Sequence, residues 1–147
     1  MKIALVGCGA ISQQYYVPAL RLVPEHTIEW FVDTRVENAK RAATTYGHGN
    51  IARNHKETVD RVDAAIVCVP NYLHHSISID FLREGRDVLC EKPLATSVQG
   101  GLQMVMASQD YGARLAVNLI RRRFESYRIA KDILNRKLIG NVDRVVY

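Results

Sequence analysis

Glu91-Lys92-Pro93 closes the apolar run Val88-Leu89-Cys90 with an acid, an ammonium and a ring-locked residue. An ammonium at such a place can stabilise a developing alkoxide and pass a proton, and the carboxylate beside it can accept hydroxyl hydrogen bonds. Pro93 fixes its own φ and confines Lys92 to extended geometry, so the lysine backbone sits on a stiff corner. Taken alone, the stretch reads more simply as a strand followed by a polar turn. Other groups in the chain change that balance.

Gly7-Cys8-Gly9-Ala10-Ile11-Ser12 follows the spacing GxGxxG, with Ser12 at the third small position. Gly7 permits a tight turn, and Gly9 lets the main chain approach a pyrophosphate. Ala10 and Ile11 begin a helix whose free amides and positive dipole end suit phosphate. Glycine turns of this kind also bind flavins. Asp33 lies 21 residues beyond Ser12, where a carboxylate would accept hydrogen bonds from ribose hydroxyls and repel a 2′-phosphate. That favours NAD over NADP, although Arg35 could pair with a phosphate. Asp33 also has the simpler reading of a cap or turn acid. In Pro70-Asn71-Tyr72-Leu73-His74, Asn71 is equally a helix cap or a cofactor contact. His74 is either a ligand to the nicotinamide half or a solvated histidine, and His75 should point elsewhere on the helix.

These groups need elements to hold them. Strand-like and helix-like segments alternate throughout, the pattern of parallel βαβ units. Strands are expected over 2–6, 27–33, 63–69, 87–90 and 114–119, with a short one near Ile51. Within the strand expected over 63–69, every residue after Asp63 is apolar, the mark of a strand buried on both faces. Helices are expected over 10–23 (kinked or broken by Pro18), 36–46, 73–84, 98–111 and 124–138. The run 142–147 reads as the opening of one more strand without partners. The fold class is therefore α/β, a Rossmann-type doubly wound parallel sheet, with the start of a truncated second α+β domain. The expected division is a cofactor domain over 1–120 and the beginning of a substrate and oligomerisation domain over 121–147.

The chain has 147 residues, 48% of them hydrophobic, enough for one domain with a real core. No apolar run reaches the roughly 18 residues of a membrane span, and the first strand is followed by glycines rather than a cleavage site, so a cytoplasmic protein is expected. Cys8, Cys68 and Cys90 each lie in or at the end of an apolar run, which suits buried thiols better than disulfides or metal ligands. The net charge of +5 is uneven. Residues 1–110 carry 11 basic and 12 acidic side chains, and residues 111–147 carry 9 and 3, centred on Arg121-Arg122-Arg123. No helix-turn-helix, zinc or RNA-recognition signature accompanies this patch, so nucleic acid is disfavoured as a partner.

Together, GCGAIS at 7–12, VD at 32–33, VPNYLHH at 69–75 and CEKPLATS at 90–97 resemble the Gfo/Idh/MocA family, the glucose-fructose oxidoreductase and inositol dehydrogenase group. The segment at 118–142 is similar to that family's crossing into its second domain. The resemblance implies hydride transfer between a nicotinamide and a hydroxyl carbon of a sugar, cyclitol or nucleotide-sugar. It implies that Lys92 contacts the reacting oxygen, that Glu91 holds the nicotinamide ribose, and that the Lys92–Pro93 peptide is cis. Arg122, or its neighbour Arg123, matches the family's arginine near cofactor and substrate. It also implies a homo-oligomer for the full-length protein and an Asp-x-x-x-His pair in the second domain. No such pair occurs after residue 118, so the 147-residue chain is expected to be a poor catalyst. Two other readings stand beside this one: a module of the same family that senses NAD(H) without turnover, and an interaction domain using the basic helix at 124–138.

Overall fold

The computed structural model describes residues 1–144. Six parallel strands form one sheet: β1 (Lys2–Val6), β2 (Thr27–Val32), β3 (Asn50–Ala52), β4 (Ala64–Val67), β5 (Asp87–Cys90) and β6 (Leu115–Val117). Their order is β3-β2-β1-β4-β5-β6. Helices α1 (Val17–Leu20) and α2 (Val36–Tyr46) cover one face, and α3 (His74–Arg83) and α4 (Val98–Asp110) cover the other. The expected doubly wound α/β fold is present.

Side chains alternate across a strand, so a sheet covered on both faces needs apolar residues at every position. In β1, Ile3 and Leu5 join the layer under α1 and α2, while Ala4 and Val6 join the layer under α3 and α4. In β4, Ala64 and Ile66 face the first layer, and Ala65 and Val67 the second. That is why β4 reads as an unbroken apolar run. In β2 the alternation breaks, because Ile3 pairs with Ile28 but Ala4 pairs with Trp30. The extra residue, Glu29, is a bulge that puts Ile28 and Phe31 on one face and Trp30 and Val32 on the other.

The first helix departs from expectation. A π-helical segment, Ser12–Tyr16, runs into α1, and the helix stops at Leu20 rather than Val23. Pro18 offers no amide and its ring crowds the carbonyl four residues back. The turn before it widens, and the Val17 amide bonds to the Ser12 carbonyl, five residues back. In α4 one of the two glycines has a packing reason: a Cβ on Gly100 would lie 3.2 Å from Ser97 Oγ and 3.4 Å from Ala95 Cβ. Ser97 caps that helix by accepting from the Gly100 amide at 3.1 Å.

Past β6 the chain makes a 3-10 turn, Ile120–Arg123, and then α5 (Glu125–Asn135), which buries none of its residues. The strand expected over 142–147 lies partly outside the described residues, and residues 142–144 form no element. No described helix is long and apolar enough to cross a membrane.

Candidate functional site

Because all six strands run the same way, the segments that leave their carboxyl ends meet along one edge of the sheet. β1 and β4 are neighbours whose following helices lie on opposite faces, so a crevice opens between them. Gly7 to Ser12 leaves β1, Asp33 leaves β2, Arg53 leaves β3, Cys68 to Asn71 leaves β4, Glu91 and Lys92 leave β5, and Asn118 leaves β6.

Gly7 has φ +88°, in the region that favours glycine, and a Cβ there would run into the Cys68 carbonyl. A Cβ on Gly9 would meet nothing within 4 Å. The two glycines thus do different work: the first is closed in by β4, and the second leaves an open cradle. The turn is pinned from several sides. The Gly7 amide donates to Val32 O at 2.8 Å, Gln13 Nε2 donates to Cys8 O at 2.8 Å, and the buried Ser12 hydroxyl donates to Gly7 O. Ser12 therefore fills the third small position and also ties the turn to its own helix. Ala10 and Ile11 are exposed on the first helical turn beside it.

Asp33 is held by the glycine turn after β1 and by the residues that follow it. The Cys8 amide donates to Oδ2 at 2.9 Å, and the Arg35 amide donates to Oδ1 at 2.8 Å. Asn38 Nδ2 adds a longer bond to Oδ2 at 3.4 Å. Asp33 is therefore a turn acid, and its carboxylate still has acceptor capacity toward the crevice. The Arg35 side chain is exposed at the start of α2. Gly7, Gly9, Asp33, Arg53, Cys68 and Pro70 line a cavity of about 430 Å³. Arg53 was not anticipated, because the three-residue β3 that delivers it is too short to leave a clear pattern. A hollow of about 570 Å³ also lies between α3 and α4, but it sits on the outer helical layer, away from the strand ends.

Glu91 is the centre of the second cluster. Tyr16 Oη donates to Glu91 Oε1 at 2.8 Å, Asn118 Nδ2 donates to the same oxygen at 2.8 Å, and the Lys92 amide donates to Oε2 at 3.1 Å. Asn118 also bonds to Tyr16 Oη at 2.7 Å. Burial opposes ionisation of Glu91, but the bonds from Asn118 and Tyr16, with help from Lys92, outweigh it and hold the carboxyl below its ordinary pKa. Burial is also the main cause of the raised Tyr16 phenol. Tyr16 and Asn118 were missed in the sequence. Asn118 had a usable signal, since it ends β6 as Glu91 ends β5. Tyr16 had none, since the widened turn before Pro18 places it. Lys92 is exposed on the corner, and the Lys92–Pro93 peptide is cis.

The remaining expected site residues divide. Pro70 lines the cavity, but Asn71 is exposed and caps nothing: it opens a 3-10 turn, Asn71–Leu73, and α3 starts after Leu73 without a side-chain cap. His74 is neither the nicotinamide contact nor the solvated histidine expected. Its ring is buried, with Nδ1 2.7 Å from Pro93 O and Nε2 2.9 Å from Val69 O, so both nitrogens are engaged by the protein and neither is free for a ligand. Arg122 lies exposed on the turn after Asn118. Cys8, Cys68 and Cys90 are free thiols. Burial, with the charge of Asp33 next, pushes Cys8 up to about 12; burial likewise raises Cys68 to about 12 and Cys90 to about 11. Among the described residues, no group of three or more His, Cys, Asp or Glu side chains could hold a metal ion.

The depressed Glu91 has a counterpart in Asp87, whose carboxyl is held low mainly by the Arg114 side chain. A carboxylate with a lowered folded pKa contributes stability above its unfolded value of about 4, and that contribution is lost as pH falls through the folded value. The thermal midpoint is therefore expected to fall below about pH 4. Glu91→Gln should flatten part of this fall. A Glu91→Gln profile parallel to wild type would show that the Tyr16–Asn118 bonds do not favour the ionised form.

Residues 1–119 match the family described as an oxidoreductase family with an NAD-binding Rossmann fold, Gfo/Idh/MocA. Inositol 2-dehydrogenase of Burkholderia ambifaria (strain MC40-6) is 31% identical over 144 residues, covering 95% of this chain and 43% of that protein. 1,5-Anhydro-D-fructose reductase of Ensifer adhaerens is 30% identical over 138 residues, 92% of this chain and 41% of that protein. Among solved structures, KijD10, a 3-ketoreductase from Actinomadura kijaniata in complex with NADP and TDP-benzene, superposes with a TM-score of 0.86 at 26% identity, over 94% of this chain and 43% of that one. The WlbA dehydrogenase from Bordetella pertussis, in complex with NADH and UDP-GlcNAcA, gives 0.86 at 27% identity, over 95% and 41%. The chain thus spans less than half the length of these relatives. By its match over most of its length, this chain belongs to the Gfo/Idh/MocA oxidoreductase family and carries that family's NAD-binding Rossmann fold.

Proposed function

We propose that this chain is the cofactor-binding part of a nicotinamide-dependent oxidoreductase that acts on a hydroxyl or carbonyl carbon of a sugar, cyclitol or nucleotide-sugar. Residues 1–120 form its cofactor domain, and 121–147 begin the substrate domain. The observation that carries the reading is the open cradle at Gly9, which lies beside a carboxylate that the glycine turn itself holds through the Cys8 amide. A pyrophosphate fits the cradle, because nothing stands where a side chain would. Gly7, Gly9, Ala10, Ile11 and Ser12 make up the pyrophosphate turn. Asp33 accepts from the adenosine ribose hydroxyls, and its negative charge opposes a 2′-phosphate, so NAD is preferred to NADP. Arg35 and Arg53 flank that position, but neither replaces the acid.

A bound nicotinamide supplies the hydride acceptor or donor. Around it, Pro70 and Asn71 form the wall from β4, and Glu91 accepts from the nicotinamide ribose while Tyr16 and Asn118 keep its carboxylate charged and oriented. Lys92, on its corner, stabilises negative charge on the reacting oxygen and moves its proton. Arg122 contributes positive charge on the side of the reacting groups. The support for the substrate class is the activity named for the relatives, an inositol dehydrogenase and a sugar reductase.

Titration of the 147-residue chain with NADH and NADPH tests this reading. NADH is expected to bind about tenfold tighter, the effect of one hydrogen-bonded charge of about 1.5 kcal/mol. Equal affinities would remove the NAD preference. With NAD and myo-inositol, the chain alone is expected to give no turnover above background, and steady NADH production would overturn the assignment of substrate contacts to a second domain.

A further inference from the structure

His74 is buried among the first residues of α3, with 1% of its surface exposed. Its two ring nitrogens face two backbone carbonyls, Pro93 O at 2.7 Å and Val69 O at 2.9 Å. A carbonyl oxygen can only accept, and a neutral imidazole has only one N–H. In the neutral ring one nitrogen would point its lone pair at a carbonyl oxygen within 3 Å, a repulsive contact in a place that water does not reach. Both contacts are attractive only when both nitrogens carry protons.

The two carbonyls belong to the two segments that enclose the proposed nicotinamide half of the site. Val69 lies in the loop leaving β4, next to Pro70 in the wall of the cavity. Pro93 directly follows Lys92. The ring therefore bridges the β4 wall and the Lys92 corner.

We propose that His74 is a positioning residue, a doubly protonated staple that sets where Lys92 and Glu91 stand relative to the β4 wall. It touches neither cofactor nor substrate and acts through the two carbonyls. This proposal rests on the NAD(H)-binding reading only for its effect on the ligand, and the staple itself is testable without any ligand.

The first arm is a proton–nitrogen correlation spectrum of the unliganded 147-residue chain with labelled histidine rings, His74 being assigned by its absence in His74→Gln. Two ring N–H signals from His74 at neutral pH are expected. A single ring N–H would overturn the staple, whether or not the chain binds a dinucleotide. The second arm titrates wild type and His74→Gln with NADH and with ADP-ribose, which lacks the nicotinamide. Glutamine can serve one carbonyl but not both across the same span. His74→Gln is expected to weaken NADH about tenfold, the loss of roughly one charged hydrogen bond, and to leave ADP-ribose within about twofold. Equal weakening of both ligands, or of neither, would overturn the positioning role. Failure of wild type to bind either ligand would instead strike at the cofactor reading, while the first arm still decides the staple.

Discussion

Gly7→Ala is expected to abolish measurable NADH binding and to lower the free energy of unfolding by about 3 kcal/mol. Two costs combine. The residue has φ +88°, where an L side chain is disfavoured by about 1–2 kcal/mol. Its Cβ would also run into the Cys68 carbonyl and lie 3.0 Å from Val69 Cγ1. The carbonyl belongs to the segment leaving β4, which is anchored against β1 by the bond from the Cys68 amide to Val6 O at 2.7 Å. Relief must come from the turn itself, which would drag the Cys8 amide off Asp33 and close the cradle. Gly9→Ala is the control. Its Cβ would project into open space, so stability should hardly change while NADH binding falls, since the methyl group occupies the phosphate's position. Denaturant melts read the first effect and ligand titration the second. Equal stability losses for the two variants would contradict the division of work between the glycines.

Asp33→Ala is expected to weaken NADH by roughly 10- to 100-fold and NADPH much less, so that the preference is lost or reversed. The carboxylate has two duties. It receives the Cys8 and Arg35 amides, which shapes the turn, and it presents charge to the crevice. Asp33→Asn separates them, because an amide oxygen can still accept one of the backbone bonds but carries no charge against a phosphate. The Asp33→Asn variant should therefore bind NADH better than the Asp33→Ala variant while tolerating NADPH. The exposed Arg35 and the cavity residue Arg53 stand ready to pair with a 2′-phosphate once the acid is gone. Unchanged affinities for both cofactors would remove the ribose assignment.

The fold was legible in the chain because each face of the sheet leaves its own mark. β4 is apolar at every position because both faces are covered, and the glycine turn begins where β1 ends. β3 was faint because three residues cannot show a period. The early end of the first helix was unreadable, because it depends on how the chain relieves Pro18, and the choice of a π turn is tertiary. The site was half legible. Residues that act through backbone conformation or a strand-end position, such as Gly7, Asp33 and Glu91, announce themselves by spacing. Tyr16 and Asn118 are brought to Glu91 from 75 and 27 residues away, and only the closed sheet makes them neighbours. His74 shows the opposite failure. Its place beside the crevice suggested a ligand contact, yet two carbonyls from different loops consume both nitrogens.

Mapping NADH onto the chain by backbone amide shifts separates a dinucleotide site at the strand ends from one anywhere else on the surface. Titration should perturb the amides of Gly7 to Ser12, Asp33 to Arg35, Val69 to Asn71 and Glu91 to Lys92, and leave the hollow between α3 and α4 unchanged. Perturbations centred on Ser76, Asp80 and Met106 in that hollow, or none at millimolar NADH, would contradict it.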